Sequence, residues 1–150
     1  MRDPEESEQR RLARNLNELL QELRVAQGGV QILFGFLLAI AFSDRYEHID
    51  GHVRVLHLIT VVLTAAAVAL LTAPASWHRL LFRRGMRKEI IDIANTFAIA
   101  GLVCLALAMV GTVLLLGEAV VGGWIAIAIG VLALVGFGML WFVLPLLRRR

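Results

Sequence analysis

The chain has 150 residues, of which 59% are apolar and 18% charged, and its mean hydropathy is +0.75. A soluble domain is usually about half apolar and a quarter charged, so this balance excludes an ordinary water-soluble globule; it also excludes a disordered chain, which needs low hydrophobicity. The lone cysteine, Cys104, excludes an intramolecular disulfide framework.

Residues 1–24 read as an amphipathic helix ahead of the membrane domain. Asp3 can cap it, Pro4 suits its first position, and Glu6 completes a capping-box-like spacing. Leu12, Leu16, Leu19, Leu20 and Leu23 fall on one face, while Arg10, Arg14, Glu18 and Gln21 occupy the other. The leucine face is expected to lie on the membrane surface or the middle loop, or to dock a partner, because an apolar stripe needs cover. No proline separates this segment from the first span, so one long helix is expected, with Gly28-Gly29 as its bend point. A cleaved signal peptide is not expected, since acidic residues crowd the segment before the first apolar block.

Four apolar blocks follow, at about 25–42, 53–73, 93–117 and 119–147. Crossing ~30 Å of hydrocarbon takes about 20 mostly apolar residues as a helix. Barrel strands would be about half as long and alternate in polarity, which these blocks do not. The expected fold is therefore all-α: a polytopic membrane protein with a four-helix transmembrane domain over 25–147 and a basic tail at 148–150. The first connection, SDRYEHIDGH, carries Asp44, Glu47, His48, Asp50 and His52, but no zinc-binding spacing, and reads as a solvated loop without a metal site. In the second connection Pro74 is expected to close the second span. Trp77 and His78 suit the headgroup region, and Ser76 can cap a short helix ended by Gly85. A new helix near Met86 then leads into the third span, giving two helical hairpins.

Among Asp, Glu, Lys and Arg, only Arg54 falls within a block, and it lies near an end. Boundary or intramembrane polar candidates are Gln27, Gln31, Arg54, His57, Asn95 and Glu118. Gln31 and Asn95 are expected to hydrogen-bond across helices, and His57 to pair with Glu118 at the outer boundary. Thr60, Thr64 and Thr112 can bond to their own helix backbones. Ala65, Ala69 and Ala73 form one ridge for close helix approach, and Ala126 with Gly130 another. Cys104 lies mid-span as a packing residue. No midplane carboxylate, nucleophile–base pair or phosphate-binding loop is present, so neither catalysis nor a cofactor is expected.

Thirteen of the fifteen Lys and Arg residues fall in the N-terminal segment, the middle connection and the tail. With four spans these regions share one side, and the positive-inside rule makes that side, with both termini, cytoplasmic. The basic cluster Arg79, Arg83, Arg84, Arg87 and Lys88, together with Arg148, Arg149 and Arg150, is the candidate for lipid headgroups. Glu18 and Glu22 are candidates to pair with it. No nucleic-acid-binding signature accompanies the basic residues, so lipid and a membrane partner or second copy are the expected contacts.

The stretches ELLQELRVAQGGVQILFGFLLAIAF (18–42) and APASWHRLLFRRGMRKEIIDIAN (73–95) resemble a family of small bacterial, often actinobacterial, four-span membrane proteins of unknown function. The resemblance runs over roughly residues 10 to 120 and implies a bacterial inner-membrane location. Some relatives bear an automatic sodium:proton antiporter label, and the family supplies no catalytic or binding residue to carry over. The expectation is a non-enzymatic structural or regulatory membrane protein. A small cation or proton-coupled transporter is the alternative.

Overall fold

α1 (Pro4–Ala41) is a single helix of 38 residues, unbroken through Gly28 and Gly29. The structure, a computed structural model, describes the backbone of residues 4–81 and 87–148, and side chains for residues 10, 14, 18, 20–44, 46–77 and 93–148. At 1.5 Å per residue α1 is roughly 57 Å long, nearly twice the hydrocarbon thickness. Its apolar part is Leu20–Ala41, so the N-terminal half projects beyond the span. Ser43 Oγ donates to the carbonyl of Ile40 (2.7 Å) as the helix ends. A 3-10 turn (Asp44–His48) then leads to α2 (Gly51–Leu81), which is followed by α3 (Arg87–Val120) and α4 (Gly123–Gly138). A π-helical turn (Met139–Val143) and a last helical turn (Leu144–Leu147) complete the fourth span. No strand occurs among the described residues.

Among the described residues four helices are long and apolar enough to cross a membrane: Leu20–Ala41, Gly51–Trp77, Ile93–Val120 and Gly123–Leu147. The last begins later than expected because α3 continues to Val120. There the N–H groups of Val121 and Gly122 both donate to Gly117 O, each at 2.9 Å. Gly122 and Gly123 have φ of 70° and 61°, a left-handed backbone that glycine adopts without strain.

Pro74 does not close the second span. It sits fully buried inside α2, which continues to Leu81. Proline removes one helix hydrogen bond and crowds the preceding turn, but a membrane helix tolerates it where a neighbour supplies polar contacts. The π turn has a related cause. Pro145 has no N–H for the carbonyl of Trp141, and widening the helix over Met139–Val143 makes room for its ring.

The tightest pairing joins α2 and α3, across the boundary between the two expected hairpins. The buried row on α2 is His57, Thr60, Thr64, Ala67, Leu71 and Pro74, alternating three and four residues apart. Ala94, Ala98, Gly101, Leu105 and Ala108 form the facing row on α3 with the same alternation. Such spacing keeps one seam turned toward a partner helix. An added Cβ on Gly101 would lie 2.8 Å from Leu71, and one on Gly111 would collide with Thr60, so the two helices run antiparallel at close range. The expected ridge Ala65, Ala69 and Ala73 is not the seam: Ala65 and Ala69 are exposed and Ala73 half-buried. The threonines can take the inner positions because each satisfies its hydroxyl locally. Thr60 donates to Leu56 O (2.8 Å) and Thr64 to Thr60 O (2.7 Å). Thr112 likewise donates to Ala108 O (2.8 Å).

α4 packs on α3 through Ala126 and Gly130, as expected of that ridge. Ala126 Cα lies 3.1 Å from where a Cβ on Gly117 would stand, and Leu114 fills the space over Gly130. α1 lies on α2 and, to a lesser extent, on α3, through Leu23, Val30 and Leu37 at seven-residue intervals. α1 and α4 share no extensive contact.

Candidate functional site

Among the described residues two polar contacts join α1 to α2, one toward each end of their packed faces. At the end next to the 43–50 connection His57 is 3% exposed. Its Nε2 lies 2.9 Å from the carbonyl oxygen of Leu37, and its Nδ1 lies 3.0 Å from the Tyr46 hydroxyl. A carbonyl only accepts, so Nε2 carries the hydrogen and donates to Leu37; in the neutral ring Nδ1 then accepts from Tyr46. Both ring nitrogens are thereby satisfied. The Tyr46 and His57 rings meet edge-on, with centroids 5.1 Å apart. The Arg54 guanidinium stands 5.7 Å over the Tyr46 ring, a cation–π contact worth about 0.5–1 kcal/mol at an exposed position. This cluster ties the 3-10 turn, α1 and α2 together.

The expected pairing of His57 with Glu118 is not formed, because Tyr46 and Leu37 occupy both ring nitrogens. Glu118 is half-buried near the end of α3. Tyr46 was not among the expected site residues. The available signal was its being the only tyrosine in the chain, set in a short loop between two spans.

At the other end the Gln27 amide donates to the carbonyl of Leu71 (2.7 Å). Leu71 lies three residues before Pro74; the carbonyl that the proline leaves without a helix N–H is that of the adjacent Leu70. The interhelical bond expected of Gln31 is therefore made by Gln27. Gln27 lies four residues after Leu23 and three before Val30, at the edge of the buried stripe; Gln31 is turned out and exposed. Asn95 is also exposed, beside the buried Ala94, and makes no cross-helix bond among the described residues. Trp77 on α2 and Phe97 on α3 meet near the same end, with ring centroids 5.9 Å apart.

Replacing Gln27 with Leu is expected to lower stability in detergent by about 1 kcal/mol, the usual scale of an interhelical bond. A Pro74→Ala change restores an N–H for the carbonyl of Leu70 and not for that of Leu71, so the loss is expected to be the same in that background. A double-mutant unfolding cycle checks this, and a loss that shrinks in the Pro74→Ala background would contradict it.

Arg14 and Glu18 form an ion pair at 3.7 Å, with both side chains about two-thirds exposed, so it contributes little. Glu22 and Arg148 are exposed. The side chains of Arg79, Arg83, Arg84, Arg87, Lys88, Arg149 and Arg150 lie outside the described residues, as does any pairing of that cluster with Glu18 or Glu22. Among the described residues no three His, Cys, Asp or Glu side chains gather as a metal site. Cys104 is half-buried against the core between α1, α2 and α3.

Residues 5–145 match a family described as a family of unknown function, DUF6328. The chain belongs to this family. No curated protein and no solved structure matches the chain. The DUF6328 match covers the first three apolar helices, all but the last two residues of the fourth, and both α1–α2 polar contacts.

Proposed function

We propose that this DUF6328 member is a non-enzymatic structural or regulatory protein of the bacterial cytoplasmic membrane. It would act through helix association and through contacts of its basic cytoplasmic extensions with anionic lipid or a membrane partner. Both ends would lie in the cytoplasm, since thirteen of fifteen basic residues fall in the segments that share that side. Neither a cofactor nor nucleic acid enters this reading.

The observation that carries it is the closely packed seam between α2 and α3, whose buried rows hold no Asp, Glu, Lys or Arg. Its buried polar side chains, His57, Thr60 and Thr64, all have hydrogen-bond partners. A transported ion needs a hydrated path and a charge or carbonyl ring to replace its water shell. Here the interhelical space is filled by Ala67, Leu71, Leu105 and Ala108.

Reconstituted vesicles with an internal pH dye test the proposal. Proton flux in sodium or potassium gradients is expected to match protein-free vesicles. Cation-dependent flux that disappears on changing Glu118 or His57 would replace this reading with transport.

A further inference from the structure

Gln31 is an amide without a partner among the described residues, and it stands at the centre of the Leu20–Ala41 span. With the apolar block beginning at Val25, just after Arg24, it lies roughly 9 Å inside the hydrocarbon. Lipid tails offer its two N–H groups and its carbonyl nothing to bond. Gln31 also belongs to a row. Arg24, Gly28, Gln31, Gly35, Leu38 and Phe42 alternate four and three residues apart, and all are exposed. This row is distinct from the stripe Leu23, Val30 and Leu37 that faces the rest of the molecule. The space beside Gly28 and Gly35 is open, since a Cβ on either would meet nothing within 4 Å. Glycine on both sides of an amide lets another helix backbone come close enough for the amide to reach it.

We propose that this row is a homodimer interface, with α1 of one copy against α1 of a second. The Gln31 amides exchange hydrogen bonds within the hydrocarbon. An amide carries both donors and an acceptor, so it is its own complement. Two copies inserted in the same direction can be related by a two-fold axis along the membrane normal, which sets Gln31 opposite Gln31. Arg24 then lies at the headgroup boundary, where its long side chain turns out to anionic lipid. The exposed face of α4 makes no such demand: Trp124, Ile127, Val131, Leu132 and Val135 are content in lipid. The inference rests on the proposed role in helix association and names the partner and the contact.

The test uses the full chain in lipid vesicles, with single-molecule photobleaching over a dilution series in lipid. Wild type is expected to dimerise. Gln31→Leu is expected to weaken the dimer about three- to tenfold, from the usual strength of an interhelical bond. Gln31→Asn should retain most of the affinity. Gly35→Leu, which fills the groove, should weaken it further, and Leu132→Ala on α4 should leave it unchanged. Thermal unfolding of each variant confirms that the monomer is intact. Dimers unaffected by both Gln31→Leu and Gly35→Leu would overturn the interface. Dimers weakened only at α4 would overturn it while leaving the association reading in place. A monomeric wild type at every dilution would overturn self-association itself, whereas the vesicle flux result bears on the transport question alone.

Discussion

Gly111→Ala is expected to destabilise the protein by about 1–3 kcal/mol, the cost of forcing an extra carbon into a packed interior. The new methyl would collide with Thr60 Oγ1 and stand 3.2 Å from Thr60 Cγ2. Thr60 has little freedom to give way, because it is fully buried and its hydroxyl is held by Leu56 O. The double variant Thr60→Ala/Gly111→Ala moves the missing volume from one helix to the other and should recover most of the loss. Gly136→Ala serves as the control, since nothing lies within 4 Å of its added carbon. Unfolding in detergent checks all four proteins. Equal stability of Gly111→Ala and wild type would mean that the α2–α3 seam is looser than described.

The second large effect is expected at His57. Its replacement by Leu deletes a hydrogen bond to α1 and one to the 3-10 turn, at an expected cost of about 1–3 kcal/mol. Tyr46→Phe removes only the hydroxyl and should cost about 1 kcal/mol. If the two side chains act through each other, the double variant should cost less than the two singles added together, by about 0.5–1.5 kcal/mol. Proteolysis of the loop at 43–50 should accelerate in both single variants, because the strap holding the turn is cut. Strict additivity would contradict the described bond.

The spans were legible because hydrocarbon imposes a simple demand of length without charge, and the four blocks meet it. Which face of each span turns inward was much less legible. A spanning helix is apolar all round, so periodicity does not separate protein from lipid. Ala65 and Ala69 are therefore as suitable in sequence for a seam as Ala67, whereas the backbone bonding expected of Thr60 and Thr64 is what lets them face it. Their hydroxyls fold back on the backbone of α2, which removes the cost of facing inward. Pro74 misled for a related reason. In water a proline usually ends a helix; here Gln27 of α1 donates to the neighbouring turn of α2, and the helix runs on.

The candidate residues divide in the same way. Gln27 and Gln31 are four apart and look equivalent in sequence, yet the turn of α1 set by Leu23, Val30 and Leu37 sends one inward and the other out. His57 was recognisable as a group of interest, but its partner was not. Tyr46 reaches it only because the 3-10 turn Asp44–His48 folds the loop back over the end of α2.

A protein that acts by helix association alone has a dry and closed middle. Cys104, the chain's only cysteine, reports on it without mutation: it lies mid-way along the Ile93–Val120 span, half-buried against the core. A charged, water-soluble thiol reagent reacts only where water reaches the thiolate. In sealed vesicles Cys104, and a cysteine placed at Thr64 by Thr64→Cys, should stay unmodified over the time in which Ser43→Cys at the loop reacts fully. Modification of Cys104 or of the Thr64→Cys thiol at a rate like that of Ser43→Cys would reveal a hydrated path through the bundle and contradict the account.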